Sequence, residues 1–207
     1  EGFIRQVLGW REYVRGIYHI YMPGYRESNF FEASETLPNF FWTGETEMAC
    51  MKSCLTQVLD TGYGHHIQRL MVIGLYSLLR GVNPQEINNW FLASYVDAVD
   101  WVTTPNVIGM SQFADGGLMA SKPYSATGAY VNRMSNYCKG CQYNPKESVG
   151  PKACPFTTLY WNFLARHRER LSGNQRMVMQ MRNLERMDEG KLNGIRKAAD
   201  SLLHQSN

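Results

Sequence analysis

Apolar side chains recur along this chain at helical spacing. Phe3, Ile4, Val7, Leu8, Tyr13, Val14, Ile17 and Tyr18 return every three or four positions, which predicts a buried helix already in stride at the first residues. A second helix is predicted over 45–59, closed by Gly62 and Gly64, and a third over 65–80. From Leu70 to Leu79 the third is apolar nearly all round, so it is expected deep inside. Gly81 stops it, and Asn83-Pro84 caps and opens a fourth that should run to about Asp97. A short helix over 129–137, an aromatic-rich one over 156–171 and a polar helical tail from Asn174 follow. Residues 24–44 form a loop that gathers Phe30, Phe31, Phe40, Phe41 and Trp42. Residues 101–128, punctuated by Gly, Ser and Pro, are expected to be a long loop, and loops beyond about 12–15 residues in a compact domain are usually functional or disordered. No internal repeat and no strand alternation is found, so the fold class is all-α.

Composition narrows the picture without deciding it. With 207 residues, 44% hydrophobic and 19% charged, the chain can bury a core without disulfides, as one large domain or two small ones. A net charge of +3 permits nucleic-acid binding without arguing for it. No apolar run reaches the roughly 18 residues of a membrane span. The chain opens on Glu1 without the pattern of a secretory leader, and it is expected to be a piece of a longer protein. Five cysteines, an odd number, fit a disulfide framework poorly and suit the reducing cytoplasm.

Four of those cysteines suit one site. Cys138 and Cys141 are a Cys-x2-Cys pair, Cys154 follows 13 residues later, and Cys50 or Cys54 lies far upstream. Thiolates in this number select zinc or an iron–sulfur cluster. A distant fourth ligand and the Pro155 after Cys154 lean toward [4Fe-4S], although spacing alone does not exclude zinc. Cys50 and Cys54 are one helical turn apart, and spacing does not choose between them. The plainer alternative is a set of buried free thiols.

Charged and aromatic residues cluster in the pattern as well. Arg69 heads the apolar third helix, and a buried cation left unpaired costs about 3–5 kcal/mol, so Asp97 or Asp100 is its expected partner. His66 and Arg69 are i,i+3 neighbours and are expected to line one pocket, with His66 a proton donor or acceptor and His65 pointing elsewhere. Trp90 and Asp97, seven apart, should share a helix face. The five tryptophans read as core or as an electron relay.

Longer motifs carry a family resemblance. The run from Phe3 to Tyr13, the run from Tyr63 to Met71, Ala114-Asp115-Gly116-Gly117, Ser121-Lys122-Pro123-Tyr124 and Arg133-Met134-Ser135-x-Tyr137-Cys138-x-x-Cys141 together resemble the iron–sulfur bacterial cryptochrome and photolyase group, the prokaryotic (6-4) photolyases, nearly as far as Leu171. The resemblance implies the C-terminal part of an FAD-binding helical domain that also holds a [4Fe-4S] cluster. Residues 1–172 would be that catalytic region and 173–207 a helical tail. An antenna chromophore would sit on an N-terminal α/β domain outside this chain.

By the same resemblance the cluster ligands are Cys50, Cys138, Cys141 and Cys154, with Cys54 an extra core thiol. His66 is the active-site histidine, with His65, Tyr124 and Tyr130 near the same pocket. Arg69 and Asp97 are the ion pair beside the flavin, and Gln6, Trp10, Arg11 and Asp100 complete the expected cofactor contacts. Trp90 and Trp42 match electron-transfer positions, while Phe91 stands where some relatives carry a tyrosine.

The implied activity is light-driven repair of (6-4) pyrimidine photoproducts in UV-damaged DNA. Excited, reduced FAD donates an electron to a lesion that has left the duplex stack at a cost of a few kcal/mol. Two alternatives stand beside it: a blue-light photoreceptor that binds FAD without repair, and an iron–sulfur DNA-binding module related to primase large subunits. Lys122, Arg133, Lys139, Lys146, Lys152 and the basic residues of 166–170 are candidate phosphate contacts. A cytoplasmic monomer without membrane contact is expected.

Overall fold

The computed structural model describes residues 1–204. Nine helices organise it. Helix α1 runs continuously through Gly2–Ile4, Arg5–Arg11 and Glu12–Tyr21. Helix α2 is Ala49–Thr61, α3 joins His66–Gln68, Arg69–Gly74 and Leu75–Arg80, and α4 is Pro84–Ser94. Helix α5 joins Asp100–Thr104 and Pro105–Ser111, α6 is Gly128–Met134, and α7 is Pro155–Arg166. The described chain closes with α8, Val178–Glu185, and α9, Glu189–His204. Short helical turns fill some of the connections, and the described residues hold two isolated β-bridges but no strand. The all-α expectation holds.

Helix α3 is the axis of the core. Every residue from Leu70 to Arg80 is buried, as its all-round apolar pattern requires. Helices α2, α5 and α7 pack around it, and Phe41, Met51, Leu55, Ile87, Trp90, Phe156 and Phe163 fill the spaces between. Each such side chain contributes about 1.5–3 kcal/mol on leaving water. The helix boundaries follow local chemistry. Gly62 and Gly81 end α2 and α3 at φ +63° and +85°, a left-handed conformation that costs glycine little. The Asn83 side chain accepts from the Gln85 and Glu86 backbone N–H groups at 2.8 and 3.3 Å, with Pro84 behind it.

Buried Arg80 gains its compensation from a helix end. Its guanidinium donates to the carbonyls of Leu202 and Leu203 at 3.2 and 3.1 Å, in the last turn of α9, where the helix dipole favours a cation. The tail therefore joins the main core: Met177, Met181, Leu184 and Ala199 are buried with Phe163 and Leu171. Positions 205–207 of the expected tail lie outside the described residues.

Three expectations are corrected. Residues 101–128 are not one long loop, because α5 occupies the first eleven of them. Val107, Ile108 and Met110 are buried there, and Pro105 stands at the join, as the first residue of the π-helical half of α5. Helix α1 is not buried along its length. Phe3, Ile4, Leu8 and Ile20 are exposed and only Val14 and Ile17 are covered, since no described element lies over the remaining apolar face. Finally, α4 ends at Ser94, so Trp90 and Asp97 do not share a helix face. No helix among the described residues is long and apolar enough to cross a membrane.

Candidate functional site

The three π-helical stretches among the described residues, Arg5–Arg11, Arg69–Gly74 and Pro105–Ser111, come from distant parts of the chain and line one cavity of about 590 Å³. A π turn shifts side chains off the α-helical register, and such turns concentrate at functional sites. Two of the stretches touch at Gly74. A Cβ there would meet Ser111 Oγ at 2.1 Å and the Arg69 carbonyl at 2.9 Å, so only glycine lets α3 and α5 approach this closely. Gln112 fastens the crossing with a bond from Nε2 to the Gly74 carbonyl at 3.1 Å.

The ionic centre of the cavity wall is a fork. Arg69 Nη1 and Nη2 donate to Asp97 Oδ1 and Oδ2 at 2.9 Å each, and Arg69 Nε donates to the Gly64 carbonyl at 2.7 Å. The guanidinium lies 4.1 Å from the centre of the Tyr95 ring, a cation–π contact that also holds it flat. Tyr95 in turn stacks on Phe91 at 5.2 Å, and Phe91 lines the cavity. The buried Tyr95 hydroxyl has no protein partner.

His66 lines the same cavity in the first turn of α3. Surrounding protein atoms, then the neighbouring His65 and Arg69, hold its pKa below the usual imidazole value. His65 does other work. Its Nδ1 accepts from the Ile67 backbone N–H at 3.1 Å, so its ring caps the helix and is absent from the cavity lining.

The structure divides the remaining expected residues. Gln6, Trp10 and Arg11 line the cavity with His66, Arg69 and Asp97. Asp100 does not pair with Arg69, which corrects that alternative. It accepts instead from Arg26 and from the Tyr18 hydroxyl and the Thr104 hydroxyl, all at 2.6 Å, because α5 turns it toward α1. Tyr124 and Tyr130 stand outside the cavity lining. Trp90 is fully buried, donating to the Phe41 carbonyl at 3.2 Å and meeting Phe91 and Tyr95 edge-on at 5.3 and 5.9 Å. Trp42, next to Phe41 in the chain, is exposed. In the basic stretch near α7, Arg168 pairs with Glu185, and Arg170 pairs with Glu32.

A second, smaller cavity gathers the thiols. Cys50, Cys138, Cys141 and Cys154 line it together, and Cys54 does not. Cys54 points instead at the Tyr137 hydroxyl, 3.7 Å away. Burial pushes the Cys50 thiol up, and the nearby Cys154 and Cys138 sulfurs push the same way. A Cβ on Gly128 would fall 2.6 Å from Cys154 Sγ, so this glycine leaves the sulfur its place. Among the described residues no three His, Cys, Asp or Glu side chains stand spaced as ligands of a single metal ion.

No family model matches the chain. It is 52% identical over 205 residues, 99% of its length, to a (6-4) photolyase of Agrobacterium fabrum, of which it spans 40%. The chain belongs to the bacterial photolyase/cryptochrome family. It is also 31% identical over 109 residues to an uncharacterized protein, R855, of Acanthamoeba polyphaga mimivirus, a match over 53% of this chain and 81% of that protein.

In this photolyase/cryptochrome chain Tyr63, Asn106 and Trp101, the last expected only as core or electron relay, also share the cavity wall. Asn106 Nδ2 is committed to the Val102 carbonyl at 2.8 Å. Trp101 and Asn106 were hidden because their segment resembles a loop. Tyr63 opens the run from Tyr63 to Met71, and its ring centre 5.3 Å from the Arg69 guanidinium is legible only in three dimensions.

Proposed function

We propose that the complete polypeptide carrying this chain is a light-driven DNA lyase that repairs (6-4) pyrimidine photoproducts. One observation carries the reading: His66, the Arg69–Asp97 fork, Gln6, Trp10 and Arg11 converge on a single cavity in a chain half identical to a (6-4) photolyase. FAD bound there supplies the excited electron. The chemistry of the lining suits a flavin, with aromatic faces from Trp10, Phe91 and Trp101 beside a cation held by one carboxylate. Arg69 stabilises negative charge on the ring system, and Asp97 keeps that stabilisation moderate. His66, whose pKa its surroundings hold below the usual imidazole value, offers the lesion one N–H donor and one acceptor nitrogen when neutral. Damaged DNA enters as a base turned out of the stack.

The thiol cavity suits a [4Fe-4S] cluster on Cys50, Cys138, Cys141 and Cys154. What supports this reading is that these four thiols line one hollow, the number of thiolates that holds such a cluster. Bound there, such a cluster would tie the cysteine loop to α2 and would not itself touch the lesion. Five free thiols suit a reducing cytoplasm, and the protein acts there as a monomer.

The test is restoration of a (6-4) lesion in an oligonucleotide by the reduced, complete polypeptide under blue light. Restoration above the dark control is expected, and its absence overturns the reading. His66→Ala is expected to abolish repair while flavin photoreduction survives. Light-dependent photoreduction with no repair by the unaltered protein would point to a photoreceptor.

A further inference from the structure

The first turn of α3 is held at both ends of one side chain. Gln68 Oε1 accepts from the His65 backbone N–H at 2.7 Å, completing a capping box with the Ile67 N–H on His65 Nδ1. Helix N-termini leave such N–H groups without partners, so this pair decides where the turn begins. At its other end Gln68 Nε2 donates to Gln57 Oε1 on α2 at 3.0 Å and to the Tyr137 hydroxyl at 3.1 Å. The His65 backbone N–H can only donate, which turns Oε1 toward it and leaves Nε2 to donate to Gln57 and Tyr137. Tyr137 immediately precedes Cys138 in the wall of the thiol cavity, and Cys54 reaches the same hydroxyl.

We propose that Gln68 and Tyr137 are positioning residues that couple the cysteine loop to His66, so that the state of the thiol cavity sets how the catalytic histidine is presented. The path has few links: Cys138, its chain neighbour Tyr137, the Gln68 carboxamide, the His65 backbone, then His66. Each link is a hydrogen bond or a peptide unit, and none passes through a flexible side chain left free at one end. A loosened cysteine loop withdraws the Tyr137 acceptor, frees Gln68 and lets the turn bearing His66 fray. The inference rests on the reading of His66 as the lesion's proton partner, but the link can be measured without repair. The charges acting on His66 are His65 and Arg69 beside it, and Arg11, Tyr63 and Asp97 are the other titratable groups of the cavity wall.

The experiment follows the His66 imidazole titration by NMR in the complete polypeptide, assigned by its loss in His66→Gln. Tyr137→Phe keeps the ring and removes the acceptor, and Gln68→Met keeps the length and removes all three bonds. Each is expected to move the His66 midpoint upward by roughly half a unit as the ring gains solvent. The double variant is expected to shift it no further than Gln68→Met alone, since the two residues act in series. Iron content should be unchanged in Gln68→Met. Unmoved midpoints, or shifts that simply add, overturn the proposal. If Gln68→Met does not fold, Tyr137→Phe decides alone. Shifted midpoints in a protein without repair would discard the repair reading and keep the link, whereas intact repair with unmoved midpoints would discard the link.

Discussion

Arg69 and Asp97 meet through two parallel bonds of 2.9 Å each, across 28 positions of sequence, in the wall of the cavity that Trp10, Phe91 and Trp101 also line. The fork is half open to water on the carboxylate side, with the Asp97 side chain 47% exposed. Its worth to folding is therefore modest. Asp97→Asn is expected to cost about 0.5–1 kcal/mol in urea unfolding. The larger consequence falls on the cavity, where the Arg69 charge loses its counter-ion. We expect the reduction potential of flavin bound to the complete polypeptide to rise, because nothing then moderates the Arg69 charge, and an unaltered potential would remove this pair from the flavin contacts.

Gly74 is the tightest contact between two of the cavity walls. Gly74→Ala drives a methyl into Ser111 Oγ and the Arg69 carbonyl, and about 2–4 kcal/mol of stability should be lost. Adding Ser111→Gly should restore part of it, because the side-chain clash disappears while the backbone one remains. Thermal unfolding of the single and double variants measures both. A fully tolerated Gly74→Ala would mean that α3 and α5 are not held this close.

His167 provides a pH signature. It is buried between Phe31 and Phe163, and Arg166 Nε donates to its Nε2 at 3.2 Å, which requires a neutral ring. Burial, then Arg166 and Arg170, lower its pKa to about 3. The unfolded chain takes up this proton near pH 6.5 and the folded chain does not. The contribution is thus fully present above about pH 6.5 and declines as pH falls toward 3, by roughly 2 kcal/mol at pH 5. Urea midpoints between pH 7 and 5 should show the slope, and His167→Gln should flatten it.

The two α2 cysteines should separate cleanly. Cys50→Ala is expected to abolish the broad visible absorption of an iron–sulfur cluster and to lower bound iron and sulfide. Cys54→Ala should leave them intact and cost only about 1 kcal/mol of packing and hydrogen bonding. Equal loss from both variants would reject the division of roles that the cavity lining suggests.

Much of this was legible in the chain itself, for identifiable reasons. The run from Leu70 to Leu79 announced a central helix because nothing polar interrupts it, and Gly81 with Asn83-Pro84 marked the next boundary through backbone chemistry that acts locally. The helical part of residues 101–128 was not legible. Its Pro, Gly and Ser residues are turn formers by propensity, and only contacts with Gly74, Tyr25 and Met119 explain why they serve a packed π-helical stretch.

Spacing and residue type, acting by themselves, determined the all-α class, the helix stops and the set of thiols able to share a site. They also offered Arg69 two acidic partners and the cysteine loop two α2 thiols. Tertiary structure decided between them. The end of α4 at Ser94 frees Asp97 to swing onto Arg69, while α5 turns Asp100 to Arg26 and Tyr18. Tyr137 draws Cys54 aside from the cavity that Cys50 lines. Helix formation depends on neighbours within a turn, so it is readable along the chain. Partner choice depends on which side chains converge from distant elements, and only the packed molecule brings them within bonding distance.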